Sequence, residues 1–170
     1  MADPTLQRLL EHMGWANQRM FETLQSLPES TLSLSAWNPE WQIGVIANHI
    51  VVASGRLIAR ISGEAAPAEG PAPTSMDELA ALAAFAAERD QRLLEMADVQ
   101  DGPRVFVRYG EEVQFLASTI LAQAIHHATE HRAQIADILA VNKQDVLNLD
   151  AMDLWSYEMW QRRQRFFQMM

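Results

Sequence analysis

Three of the five histidines lie within six residues of one another, in the segment IHHATEHRAQI at positions 125–135. His127 and His131 are four residues apart, so on a helix their imidazoles lie one turn apart on the same face. His126 points about 100° away from His127, because each helical residue turns the chain by about that angle. Imidazole nitrogen suits zinc, nickel, iron or copper. The spacing therefore favours His127 and His131 as a pair of metal ligands, and it leaves His126 either on the flank or as a group that supports the ligands.

A third ligand is needed, because two side chains alone hold a metal ion weakly. His49 is the candidate, since it lies in the middle of a second predicted helix on a mostly apolar strip. Metal sites in helix bundles are built from side chains on facing helices. Three histidines would leave positions free for water or substrate, as in catalytic sites. We predict that His49, His127 and His131 bind a divalent metal ion.

Two other interpretations of these residues compete with that prediction. A core histidine is commonly a hydrogen-bonded packing residue. We interpret His12, in the first helix, as a surface or boundary residue. His127-Ala-Thr-Glu130-His131 also matches the H-x-x-E-H zinc-protease pattern, with Glu130 as general base. That family takes an acidic ligand from far downstream, but Glu158 is the sole glutamate after His131. We favour a polar flank position for Glu130.

The first two predicted helices have clear boundaries. The first begins at Asp3-Pro4, an N-cap residue followed by proline at the first helical position. The second begins around Asn38 or slightly later and runs to about Ile61. Its sequence, WQIGVIANHIVVASGRLIARI, is apolar nearly all round, which indicates burial on most sides. Gly63 stands where a helix stop is expected.

A connection rich in proline and glycine, residues 62–74, separates the second helix from the third. We predict an extended surface segment there and not a domain boundary, because neither side holds a complete core alone. Ser75 or Asp77 can cap the third helix, which is alanine-rich and runs to about Met96. Residues 104–115 then carry β-branched and aromatic side chains around Tyr109-Gly110-Glu111, which predicts a short β-hairpin.

The fourth predicted helix runs from about Gln114 to Val141 and carries the histidine pair. Residues spaced alternately three and four apart predict its core-facing seam: Val113, Leu116, Ile120, Ala124, His127, His131, Ile135 and Ile138. The segment DAMDLWSYEMWQRRQRFF predicts a short C-terminal helix. The fold class predicted is all-α: a four-helix bundle in one domain, residues 1–170, with a long helix 2–3 connection and a hairpin before helix 4.

Composition excludes several classes of function. The chain has 170 residues, of which 49% are hydrophobic, so a packed core is expected. A net charge of −9 argues against broad nucleic-acid binding, which needs a basic surface. We find no long uncharged apolar run and no signal-peptide pattern, so we expect no membrane partner and a cytoplasmic location. With no cysteine, any thiol used in a reaction must come from outside.

The ordered set of motifs resembles the DinB/YfiT-like family. WNPEWQIGVIANHIVVA is similar to the second helix of that family, and HATEHRAQI is similar to its fourth-helix signature, in which HxxxHR precedes a small residue and Gln. The hairpin before that signature and the LDLW-type segment at Asp153-Leu154-Trp155 also match. The resemblance covers nearly the whole chain.

The resemblance implies a four-helix bundle, a three-histidine divalent metal site at His49, His127 and His131, and a homodimer. Zinc or nickel is the metal expected first, with iron or manganese as alternatives. Relatives with such sites include thiol-dependent enzymes, which implies a small-molecule substrate and transfer of a low-molecular-weight thiol to an electrophile, or a related hydrolysis or isomerisation. Two further classes stay open: a non-enzymatic metal-binding stress-response module, and a structural dimeric bundle whose histidines pack.

Overall fold

The computed structural model describes residues 3–168 of the chain, which contain five α-helices and one β-hairpin. The helices are α1 (Pro4–Gln25), α2 (Ile43–Ser62), α3 (Met76–Glu95), α4 (Ala117–Val141) and α5 (Leu154–Gln168), and the strands are β1 (Pro103–Arg108) and β2 (Glu111–Leu116). Short 3-10 helices occupy Glu29–Ser33, Met96–Asp98 and Asp150–Met152. The all-α architecture with a hairpin before the fourth long helix confirms the predicted fold class.

Polar caps set the helix ends as predicted. The Asp3 carboxylate accepts hydrogen bonds from the Thr5 and Leu6 amides at the start of α1. Ser75 and Glu78 form a reciprocal capping box at the start of α3. Gly63 ends α2 with φ 78°, a left-handed conformation that glycine adopts without steric cost.

Two predicted helix starts were too early, and local pairing explains both. The α2 helix begins at Ile43, because the Asn38 side chain accepts the Glu40 amide and holds a turn in front of it. The α4 helix begins at Ala117 and not at Gln114, because residues 114–116 pair with residues 103–105 in the hairpin. Tyr109 and Gly110 connect the strands with φ 53° and 85°, as a two-residue type I′ turn requires.

The four long helices pack in a ring. The α1 helix packs against α3 and α4, and α2 packs against the same two helices, so α1 and α2 occupy opposite corners. By length and composition α2 could cross a membrane, but 56% of its apolar window is buried inside the protein. Buried residues of α2 join those of the other helices in one hydrophobic cluster. The α2 helix is therefore a core helix of a globular protein.

The face that α4 buries is rotated from the predicted seam. The buried positions at its centre are Ala124, Ala128, Arg132 and Ile135, whereas His127 and His131 are only partly buried. The predicted seam placed the two histidines in the core, and that placement was wrong by about one residue of helical rotation. The residue that the periodicity did not indicate is Arg132, a buried cation that needs polar partners.

Arg132 finds those partners on two other helices. Its guanidinium donates to Asn17 Oδ1 on α1 at 2.6 Å, and Asn17 Nδ2 donates to Asp90 Oδ2 on α3 at 2.9 Å. Thr129 Oγ1 accepts a second guanidinium hydrogen bond at 3.0 Å. Arg132, Asn17 and Asp90 are 4%, 1% and 6% exposed. These three residues link α1, α3 and α4.

Burial raises the pKa of Asp90 to about 6, although the Asn17 hydrogen bond and the Arg132 charge act in the opposite direction. The native state then binds a proton more tightly than the unfolded chain, whose value is 3.8. Between these two pH values the free energy of unfolding should fall as pH rises, by roughly 3 kcal/mol in total. In Asp90→Asn this contribution is absent.

Urea denaturation of wild type and Asp90→Asn at several pH values from about 4 to 7 checks this expectation. Both proteins should be metal-free, because metal binding is itself pH-dependent. The wild-type free energy of unfolding should decline relative to that of the variant as pH rises. Two parallel curves would contradict a raised Asp90 pKa in the native state.

Candidate metal site

Three imidazoles from two helices converge beside the core. His49 comes from α2, and His127 and His131 come from α4. The Nε2 atom of His127 lies 3.0 Å from His49 Nε2 and 3.1 Å from His131 Nε2. The three ligand atoms all lie within 4.8 Å of one another. The structure thus brings together the three histidines that the sequence analysis selected; that they bind a metal ion stays a prediction.

The donor set fits a metal ion of the expected kind. Two imidazole nitrogens that bind zinc tetrahedrally at 2.0–2.1 Å are about 3.3 Å apart. The separations of 3.0 and 3.1 Å come within a few tenths of an ångström of that value. Three neutral nitrogen ligands suit zinc, nickel, copper or iron and leave at least one coordination position open. The group can therefore hold a divalent metal ion.

Gln134 fixes the orientation of His131. The indole Nε1–H of Trp41 can only donate, and it donates to Gln134 Oε1 at 3.0 Å. The same oxygen lies 2.7 Å from His131 Nδ1, which must therefore carry the proton. The lone pair of His131 is left on Nε2, the atom that faces the other two histidines. Trp41 also packs its ring 5.3 Å from that of His49, centroid to centroid.

The surroundings keep two of the imidazoles neutral. Partial burial, followed by the neighbouring His131 and His49, lowers the pKa of His127 to about 4. Burial, followed by His131 and Arg56, also lowers the pKa of His49. A neutral imidazole has a free lone pair, so neither ring must lose a proton near neutral pH before it binds a metal ion.

The remaining histidines and Glu130 lie apart from this cluster. His126 and Glu130 are exposed, as predicted. His12, in the middle of α1, is partly buried, and its Nε2 lies 2.8 Å from the carbonyl oxygen of Met152. Glu158 forms ion pairs with Arg8 and Arg162. With His49 beside the pair, the geometry does not support the zinc-protease interpretation.

Sequence reasoning gave Trp41 and Gln134 no role at the site, although both stood in the motifs it quoted. Gln134 follows His131 by three residues, so the two side chains share one face of α4. That spacing was the signal that could have identified Gln134 as the partner of the His131 ring. Its contact with Trp41 spans 93 residues of sequence and could not be predicted from local spacing.

A cavity of about 510 Å³ opens beside the cluster, and His49 and His127 form part of its wall. The hairpin contributes Phe106 and Phe115, whose ring centroids are 5.7 Å apart. Two sides of the wall come from α2 and α4. A small molecule in this cavity would lie next to two of the three candidate ligands, so the cavity is the candidate substrate site.

Comparison with known proteins agrees with the motifs and the fold. No curated protein matches the chain. The model of the DinB family matches residues 1–144. That range includes all three histidines of the cluster, the hairpin and the four long helices. The chain therefore belongs to the DinB family.

Proposed function

We propose that the protein is a divalent-metal-dependent enzyme that transfers a small external thiol to an electrophilic small molecule. The S–H bond of the thiol breaks, its sulfur bonds to the electrophilic atom, and the proton goes to the product or to the leaving group. The observation that carries this proposal is the convergence of three imidazoles next to a cavity of about 510 Å³. A related hydrolysis or isomerisation would use the same arrangement. Zinc or nickel is the metal we favour, because imidazole nitrogen is a good ligand for both.

The residues of the chain would bind, orient and shield the reactants. His49, His127 and His131 would hold the metal ion, and Gln134 would keep the His131 Nε2 lone pair directed at it. When bound, the ion lowers the pKa of a water or thiol ligand and so supplies a nucleophile near neutral pH. The apolar hairpin side chains would exclude water from the cavity. The thiol must be external, because the sequence contains no cysteine.

We also propose a cytoplasmic location and a homodimer. Small thiols stay reduced in the cytosol, which suits a thiol-dependent reaction. A dimer is supported by the exposed face of α5, where Trp155, Met159 and Phe166 are 80%, 53% and 59% exposed. Their spacing of four and seven residues places them on one side of the helix. Exposed apolar stripes of this kind mark association surfaces.

The dimer is checked by sedimentation velocity. Wild type should sediment as twice the 19.2 kDa chain, and Trp155→Asp should shift the population toward monomer because a buried carboxylate opposes association. Trp37→Asp is the matched control, since Trp37 is 93% exposed and lies outside α5. A monomeric wild type at micromolar concentration would rule out this assembly.

Metal binding is checked on protein purified without a histidine tag, loaded with zinc or nickel and dialysed. Wild type should retain about one ion per chain. His49→Ala should bind at least about 100-fold more weakly, because it loses one of three ligands. His126→Ala is the matched control, since His126 is exposed and adjacent to His127 on the same helix. Equal metal content in the two variants would refute the three-histidine site.

Transfer activity is checked by incubating metal-loaded protein with low-molecular-weight thiols and an electrophile, and by following loss of free thiol. Wild type should consume thiol faster than the variant in which all three histidines are alanine, and chelation should abolish the difference. A wild-type rate equal to that of the triple variant, across several thiols and electrophiles, would favour a non-enzymatic metal-binding protein.

A further inference from the structure

The cavity beside the histidines has a basic wall in an acidic protein. The whole chain carries a net charge of −9. Its cavity wall nevertheless includes Arg56 and Arg60 from α2 and Arg108 from β1, and no aspartate or glutamate among the described residues. A divalent ion at the histidines would add further positive charge. The local field of the cavity therefore has the opposite sign to that of the protein as a whole.

Two of these arginines form no ion pair within residues 3–168. The Arg60 guanidinium is partly buried and lies 4.7 Å from the centroid of the Phe106 ring. The Arg108 guanidinium lies 4.9 Å from the centroid of Tyr109. Burial, followed by the charges of Arg108 and Arg56, lowers the pKa of Arg60, so the three cations act on one another. Arg56 forms an ion pair with Glu69.

Arg56 is the one of the three cations with an acidic partner. The repulsion among the three raises the free energy of the empty site, and a bound anion would relieve it. The planar guanidinium presents paired donors that match a carboxylate or a phosphate group. The partly buried ring of Phe106 restricts Arg60, so less of its side-chain freedom would be lost on binding. Phe106 and Phe115 offer an apolar surface beside the three cations.

We propose that this cavity binds a small organic anion, whose oxyanion group contacts Arg56, Arg60 and Arg108 and whose apolar part packs against Phe106 and Phe115. In the reaction proposed above, this anion is the electrophilic substrate. That assignment rests on the proposed function, whereas the binding itself depends on the arginines and the hairpin. Carboxylate and phosphate share the chemistry that a guanidinium recognises.

Calorimetric titration of metal-loaded protein tests the proposal with three probes of similar shape: 3-phenylpropionate, its uncharged amide, and phenyl phosphate. At least one anion should bind about tenfold more tightly than the amide, because charge-assisted hydrogen bonds are the stronger ones. The tighter anion identifies the preferred head group. Its affinity should also fall as salt concentration rises.

Arg60→Gln and Arg108→Gln should each weaken binding of the preferred anion by about tenfold and leave the weak binding of the amide unchanged. Arg108 is exposed, so its substitution tests the proposal even if Arg60→Gln unfolds the protein. Arg92→Gln is the control. Arg92 forms an ion pair with Glu64 and does not line the cavity, so its substitution removes the same charge away from the proposed site.

The proposal is overturned if the amide binds as tightly as both anions, or if Arg60→Gln and Arg108→Gln bind the anion as Arg92→Gln does. Metal content is measured in every variant, so a lost ion cannot be mistaken for a lost arginine contact. Arginine-dependent anion binding without any thiol consumption would support this proposal and contradict the transferase function. Thiol consumption without arginine dependence would do the reverse.

Discussion

The hydrogen bonds from Arg132 through Asn17 to Asp90 determine how α4 is rotated in the bundle. A buried guanidinium without partners costs several kcal/mol. Besides Thr129 on α4 itself, the polar groups that offset this cost are Asn17 on α1 and, through Asn17, Asp90 on α3. Arg132 must therefore point toward those helices. His131 is the preceding residue and points about 100° away, toward α2. One buried charge thus places two histidines at the border of the core, where both are partly buried and His127 lines the cavity.

The cluster then depends on α2, whose position follows from its almost completely apolar surface. Because α2 packs against both α3 and α4, His49 lies opposite the histidine pair. The contact of Trp41 with Gln134 connects the start of α2 to α4 and fixes the His131 ring at the same time. Fold and site therefore share their interactions: the groups that hold the two helices together also direct a lone pair at the space between them.

Local chemistry made most of the fold predictable. Caps at Asp3 and Ser75 and the stop at Gly63 depend on neighbouring residues alone, and the histidine pair follows from a spacing of four. The rotation of α4 was not predictable in the same way, because the groups that Arg132 meets on other helices, Asn17 and Asp90, lie 115 and 42 residues away in the chain. The seam through His127 and the seam through Ala128 share Ala124 and Ile135, so hydrophobic spacing could not separate them.

The basic cavity combines Arg56 and Arg60, four residues apart on α2, with Arg108 on the hairpin, and only the folded chain brings them together.

The hairpin forms part of the cavity wall, whereas the helices carry the candidate metal ligands. Among residues 3–168 its two strands pair only with each other and are joined by a two-residue turn. Their register is therefore specified within 14 residues of sequence, from Pro103 to Leu116. The histidines, in contrast, belong to helices that the core holds in place. Substitutions in the strands can reshape the cavity wall without disturbing the ligand geometry. Evolution can therefore change which molecules such a protein accepts while the helices that carry the histidines stay the same.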